Sequence, residues 1–316
     1  MALPYTTLLE AQAAMGGRPL TAAETLWFRY TASVPDAYLF SLNLLFIFLI
    51  FHVFSTPSLV LDLLARSAFP YLRRFKLHPN SFLDAASLLR CYSGVMLSYT
   101  CVVSPLVYLS NHVFKFVGIR TSLPLPSIWE ILAELVVYAI VDDYITYWIH
   151  RLSHTEWGYN TYHYKHHEFK TLTSMCGSYT DWLEMLIASL PTFLGPAVVP
   201  GHIVTLWLWF ALRQIIHLDV HSGFGFPWAM NKLVPFLVTS EYHHHHHLDG
   251  KSQGNFTSIF TYCDYIYGTN KVRKQGELEV LYEVKWPLGI EEPWEIEELE
   301  EKHEEIVELE GIEEEN

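Results

Sequence analysis

Long blocks of apolar residues dominate the pattern along the chain. The first of them, Ala37–Phe54, runs 18 residues without a charged side chain. That is close to the roughly 20 residues needed to cross a hydrocarbon core about 30 Å thick. Three further blocks follow, at Leu88–Ser110, Ile128–Ile149 and Leu183–Ile216. Pro and Gly residues interrupt the last block near its middle, as expected of a helical hairpin. The pattern predicts an all-α integral membrane protein with about four membrane segments or hairpins.

The connection between the first two blocks is basic. It carries one acidic residue, Asp84, against five basic ones: Arg66, Arg73, Arg74, Lys76 and Arg90. Short basic connections favour the cytoplasmic side of a membrane. Counting crossings from this connection places the end of the third block, and the segment after the hairpin, on the same cytoplasmic face.

Histidines cluster at those two predicted cytoplasmic ends. The clusters read "HRLSH" (His150, His154), "HYKHH" (His163, His166, His167) and "HHHHH", with the same spacing at His243, His246 and His247. Spacings of three and four residues place side chains on one helical face. The run of five resembles a purification tag, but it lies inside continuous sequence about 70 residues from the C-terminus. Since imidazole is the commonest metal ligand in proteins, the clusters predict a histidine-rich di-metal site.

Two aspartates lie deep in the third apolar block. Ionisable residues are costly in a membrane and are usually functional there. Asp143 precedes His150 by seven residues, two helical turns along the same face. We expect its carboxylate to accept a hydrogen bond from a ligand imidazole.

The acidity of the chain belongs to its C-terminal end. The formal net charge is −14, yet residues 277–316 alone hold 17 acidic and two basic residues, a charge of −15. The acidity therefore does not describe the substrate, and no basic patch predicts a nucleic-acid partner. We predict an N-terminal segment (1–36), a membrane-embedded domain (37–275) and an acidic tail (276–316).

The three histidine clusters resemble the histidine boxes of the fatty acid hydroxylase/sterol desaturase superfamily. Further stretches resemble plant-type sterol 4α-methyl oxidases (methylsterol monooxygenases) over about residues 1–270. They read "TAAETLWFRYTAS", "GIRTSLPLPS", "PTFLGPAVVPGH", "WLWFALRQ", "HSGFGFPW" and "NFTSIFTYCDYIYGT".

The resemblance implies a multi-pass enzyme of the endoplasmic reticulum membrane with its site on the cytoplasmic face. Two iron ions would use O₂, and NAD(P)H-derived electrons delivered by cytochrome b5 and its reductase, to oxidise the C4 methyl group of a sterol taken from the lipid bilayer. Cutting an unactivated C–H bond needs such a redox metal, because no side chain can do it. The alternatives are sterol C5 desaturation, fatty-acid hydroxylation, or a non-catalytic metal-binding membrane protein.

We expect nine metal ligands, with Asp143 and Asp219 as carboxylates beside them. The nine are His150, His154, His163, His166, His167, His221, His243, His246 and His247.

Three features depart from the relatives' pattern. Their third box usually reads like "HDYHH", whereas His244 and His245 fill the middle positions here. Asp181 stands in "YTDWLE", where relatives commonly carry histidine, and His217 is not expected at its position. Either Asp181 ligates the metal as a carboxylate or His217 takes over that duty, and we favour Asp181.

Overall fold

Helices form nearly all of the regular structure. The computed structural model describes residues 5–271 except 33, 35, 235 and 249–253, and within them it has twelve α-helices and no β-strand. The helices are α1 (Leu8–Ala14), α2 (Ala22–Ala32), α3 (Asp36–Arg66), α4 (Ala85–Ser98), α5 (Ser104–Val117), α6 (Ile128–Ser153), α7 (Glu156–Thr161), α8 (Trp182–Val198), α9 (Ile203–Val220), α10 (Met230–Leu233), α11 (Ser240–Leu248) and α12 (Tyr262–Ile266). The all-α prediction is confirmed. The predicted acidic tail lies outside the described residues.

Three helical segments in the described part are long and apolar enough to cross a membrane: Ser41–Arg66, Ala85–Val117 and Ile203–Val220. The second joins α4 to α5 through one π-helical turn, Tyr99–Val103. The predicted hairpin is divided into α8, an apolar helix of 17 residues, and α9, with a break at 199–202. The prediction of a membrane protein is confirmed.

The third apolar block forms α6, which has a polar inner face and an apolar outer one. Three of its four acidic residues, Glu134, Asp142 and Asp143, are buried. The opposite face exposes a large apolar side chain at almost every fourth position: Trp129, Leu132, Val136, Ile140, Tyr144, Trp148 and Leu152. This arrangement suits a helix that faces lipid and keeps its ionisable groups inside the bundle.

A buried ion pair joins α6 to α9. Arg213 Nε donates to Asp142 Oδ2 at 2.8 Å, and Thr192 Oγ1 of α8 donates to the other carboxylate oxygen at 3.1 Å. Asp142 has no exposed surface. Removing one partner of such a pair costs roughly 3–5 kcal/mol, because the other charge stays buried. This contact fixes α6, which supplies His150 and His154, against α9, which ends at His221.

Candidate metal centre

Four separate segments bring the nine predicted ligand histidines together. The C-terminal end of α6 supplies two of them and a 3₁₀ turn, His163–Glu168, supplies three. His221 ends α9, and α11 supplies the remaining three. The "HYKHH" histidines therefore lie on a 3₁₀ turn, in which residues three apart share a face.

The imidazoles form two groups. The first holds His150, His154, His163, His167 and His246, and the second holds His166, His221, His243 and His247. In each group one nitrogen per ring lies within 4.8 Å of all the others. Eight of the nine side chains are buried, and His150 is partly buried.

Hydrogen bonds at Nδ1 determine which nitrogen several of these rings present. His150 donates to the carbonyl oxygen of Phe256 at 2.7 Å, and His246 to that of Gly254 at 2.9 Å. His221 donates to the carbonyl oxygen of His217, one turn earlier in α9, at 2.8 Å. A ring that donates through Nδ1 leaves Nε2 as a bare lone pair when it is neutral, which is the form that binds metal.

The Nε2 atoms converge within both groups. In the first, Nε2 of His163 lies 2.8 Å from that of His154 and 3.1 Å from that of His167. In the second, Nε2 of His243 lies 2.9 Å from that of His221 and 3.1 Å from that of His247. Two imidazole nitrogens this close are joined either by the N–H hydrogen of one neutral ring or by a cation that both rings bind.

Two further observations fit a pair of bound metal ions. Nε2 of His246 is buried and has no hydrogen-bond partner in the described part of the chain. Burial first, and the neighbouring imidazoles second, lower the pKa of His166, His167 and His247 well below the usual value. These rings are therefore neutral, as metal binding requires.

Glu184 is a site residue that the sequence reasoning missed. Its Oε1 accepts a hydrogen bond from Nδ1 of His163 at 2.7 Å, and both side chains are buried. Its Oε2 is buried without a hydrogen-bond partner among the described residues. A carboxylate in this position orients a ligand ring and raises its basicity. A signal was present, because Glu184 is the one charged residue within the apolar helix α8.

The Asp143 carboxylate accepts hydrogen bonds from backbone amides and not from an imidazole, contrary to our expectation. Its Oδ1 accepts from the amides of Ser258, Ile259 and Phe260, at 3.3, 2.8 and 3.3 Å. These amides follow Phe256, the residue whose carbonyl holds His150. Asp143 therefore affects the orientation of His150 only through the backbone of this segment.

Asp264, a second missed residue, holds the same segment from its other side. Its carboxylate accepts from the amides of Phe256 and Thr257, at 2.9 and 3.0 Å. It also accepts from the hydroxyl groups of Tyr242 at 2.9 Å and Thr269 at 2.7 Å. Because Tyr242 immediately precedes His243, Asp264 ties the His150 acceptor to the start of the third histidine box.

The remaining candidates lie outside both groups. Asp181 caps α8 by accepting from the Leu183 amide at 2.9 Å. The His217 ring lies 4.6 Å from the His221 ring without joining either group. The Asp219 backbone carbonyl accepts from Ser240 Oγ at 2.9 Å. His244 turns away from the centre to contact His78.

A cavity of about 200 Å³ opens beside the two groups. Its walls include five of the nine imidazoles together with apolar residues of several helices, among them Ile47, Val103, Met185, Phe193 and Phe210. Gly177 also lines it, and a Cβ atom at that position would lie 2.5 Å from Cγ of His221. The absence of a side chain there lets the turn Ser174–Ser178 approach the second group closely.

Comparisons with known proteins agree with this geometry. The model of the family described as fatty acid hydroxylase matches residues 135–269, which contain all nine imidazoles. Methylsterol monooxygenase 1-1 of Arabidopsis thaliana is 46% identical over 270 residues, covering 85% of this chain and 90% of that protein. The chain belongs to the fatty acid hydroxylase family. It is an oxidoreductase, as the methylsterol monooxygenases among its relatives are.

Two further relatives extend this picture. The rice protein named very-long-chain aldehyde decarbonylase GL1-10 is 49% identical over 270 residues, covering 85% of this chain and 88% of that protein. Methylsterol monooxygenase 1-2 of Arabidopsis thaliana is 46% identical, with coverage of 85% and 90%. No solved structure shows detectable similarity to the chain.

Proposed function

We propose that this chain is a methylsterol monooxygenase that oxidises the C4 methyl group of sterol precursors. The observation that carries the proposal is the convergence of nine imidazoles in two groups beside a cavity whose walls are largely apolar. Two neighbouring metal ions can share the reduction of O₂, and the apolar walls suit a substrate that arrives from the bilayer. Relatives named for this activity match along most of their own length.

In this proposal the metal ions are iron, which imidazole ligands suit. When bound, iron would supply the redox chemistry that oxidation of an unactivated carbon needs. His163, held by Glu184, and His150, held by the Phe256 carbonyl, keep their Nε2 atoms aimed at the first metal position. The apolar cavity residues exclude water and hold the sterol against both groups.

We place the site on the cytoplasmic face of the endoplasmic reticulum membrane, where cytochrome b5 and its reductase deliver electrons from NAD(P)H. The basic connection after α3 supports this orientation, since positive charge favours the cytoplasmic side. Two backbone hydrogen bonds join that connection to the segment just after His221: the Leu77 amide to the Gly223 carbonyl at 3.0 Å, and the Gly225 amide to the Phe75 carbonyl at 2.8 Å.

Sterol profiling tests the proposal directly. The chain is expressed in a host that lacks its own C4-methyl oxidase, with His246→Ala as the inactive control. We expect C4-methyl sterols to be consumed only with the unaltered chain. Unchanged sterols with a protein that still binds iron would overturn the assignment of substrate.

A second candidate follows from the 49% identical relative named as an aldehyde decarbonylase. The same apolar cavity could receive a long-chain aldehyde. The purified, iron-loaded protein is therefore also given a long-chain aldehyde, and the hydrocarbon product is measured. Hydrocarbon formation without sterol oxidation favours this second function.

A further inference from the structure

The surface that follows the first membrane helix combines exposed aromatic rings with exposed arginines. Phe69, Tyr71 and Trp228 expose 58, 63 and 62% of their surface. Arg66 and Arg74 are exposed beside them. We call these five residues the aromatic–basic surface. Soluble surfaces rarely keep large rings this open, whereas the boundary between hydrocarbon and headgroups favours both residue types.

Ring contacts through Phe75 join Tyr71 to Trp228 within this surface. Phe75 lies 6.3 Å from Tyr71 and 5.2 Å from Trp228, measured between ring centroids. The Arg74 guanidinium lies 3.7 Å above the Tyr71 ring, and Arg74 is exposed. The rings come from two separate segments of the chain, so tertiary contacts form this surface.

The surface also continues the lipid-facing side of α3. Leu45, Leu49, Val53, Val60 and Leu63 are all largely exposed along that helix. Arg66 ends α3, and Arg73 caps its last turn by donating to the carbonyl oxygens of Ala65 at 2.9 Å and Arg66 at 3.1 Å. The exposed apolar stripe thus runs directly into the aromatic–basic surface.

We propose that the aromatic–basic surface lies in the headgroup layer of the membrane and binds anionic lipid. The rings occupy the boundary region, and Arg66 and Arg74 reach the phosphate groups. Because backbone hydrogen bonds join Phe75 and Leu77 to the residues just after His221, this surface holds the metal groups at a fixed depth below the headgroups. An apolar substrate then reaches them without leaving the bilayer.

Depth-dependent quenching tests the placement of this surface. Cysteine is introduced by Phe69→Cys or Trp228→Cys in the Cys101→Ser background, because Cys101 is the one exposed cysteine in the described part. Each protein is labelled with a fluorophore and reconstituted in vesicles of phosphatidylcholine and phosphatidylserine. Val53→Cys on α3 and Glu156→Cys, an exposed polar position, are the matched controls.

We expect lipid quenchers near the headgroup to act most strongly on the labels at positions 69 and 228. Quenchers near the chain end should act on the label at 53, and aqueous iodide on the label at 156. If the labels at 69 and 228 respond like the one at 156, the surface faces water and the proposal is wrong. A soluble protein partner would then be its occupant.

Lipid selectivity is a second test that needs no label on the surface. Arg66→Gln and Arg74→Gln should each lower the preference for spin-labelled phosphatidylserine over phosphatidylcholine by about fivefold at low salt. Arg90→Gln is the control, because Arg90 is an exposed arginine of the same connection that is already paired with Glu168. Unchanged selectivity in both variants would show that these arginines do not bind anionic headgroups and would contradict the proposal.

Discussion

Hydrogen bonds at Nδ1 orient four of the nine histidines: His150, His163, His221 and His246. Three of the acceptors are backbone carbonyl oxygens, and the fourth is the carboxylate of Glu184. A carbonyl acceptor cannot be removed by changing a side chain, but Glu184 can be. The site therefore offers one place at which ligand orientation can be tested by a single substitution.

We expect Glu184→Ala to weaken metal binding by about 10–100-fold, because His163 loses the partner that orients its ring. Glu184→Gln should weaken metal binding less than Glu184→Ala, since an amide oxygen can still accept a hydrogen bond from Nδ1 of His163. Metal content after dialysis against graded chelator measures the effect. Asp181→Ala is the control: it removes a helix cap, costs about 1 kcal/mol of stability, and should leave metal binding unchanged. Greater metal loss from Asp181→Ala would restore Asp181 as a ligand.

The two kinds of histidine in the third box can be separated by adjacent substitutions. His246→Ala should lower metal content and abolish turnover, because its Nε2 points into the first group. His244→Asp combined with His245→Tyr should keep both, since His244 contacts His78 away from the centre. Loss of metal from the double variant would mean that a residue between the ligands binds metal itself.

Single residues were predictable where spacing alone decides their role. Eight of the nine imidazoles repeat recognisable spacings, His221 lies in a stretch of the family resemblance, and the fold brings all nine together. Glu184 and Asp264 were not predictable in this way. Glu184 lies 21 residues from its partner His163, and Asp264 lies 22 residues from its partner Tyr242. Only the folded backbone brings each pair into contact.

At the scale of elements, one irregular segment matters as much as the long helices. Residues 254–260 supply the carbonyl acceptors for His150 and His246, and Asp143 and Asp264 hold this segment from two sides. The apolar pattern predicted the positions of α6, α8 and α9 closely, because burial in lipid and in the bundle requires long runs of apolar residues. The apolar pattern did not predict the conformation of residues 254–260, because buried carboxylates hold that segment in place.

Asp264→Ala should destabilise the protein by about 3 kcal/mol, because at least two buried amides lose their acceptor. It should also lower metal content, since the Phe256 carbonyl that holds His150 is released. Thermal unfolding in detergent and metal analysis measure the two effects. Asp84→Ala, which removes an exposed cap of α4, should cost about 1 kcal/mol and leave the metal in place. Equal effects from the two variants would contradict the positioning role of Asp264.

At the scale of the whole molecule, charge is divided sharply along the chain. Residues 277–316 carry −15 while the remainder carries +1. The histidine groups and the cavity lie entirely in the remainder. Within the described residues, the contacts that orient the histidines are all made by residues 5–271.

Deleting residues 276–316 should therefore leave metal content and turnover with an artificial reductant unchanged. Electron delivery from an acidic protein such as cytochrome b5 should become faster at low salt, because like charges no longer repel, and salt should reduce that difference. Stopped-flow reduction at two salt concentrations measures this. Loss of membrane-embedded, metal-loaded protein on deletion would instead make the tail a structural part.

The spread of the ligands along the chain has a consequence for the order of synthesis. His150 leaves the ribosome first, and Thr269, which hydrogen-bonds Asp264, about 120 residues later. At typical elongation rates of about 5–20 residues per second, that interval lasts roughly 6–24 s. Until His246 and His247 have been synthesised within that interval, the early imidazoles lack their later partners, and neither group is complete. Either group is therefore complete only after His246 or His247 has been synthesised, and a metal ion that bound earlier would be held by fewer imidazoles.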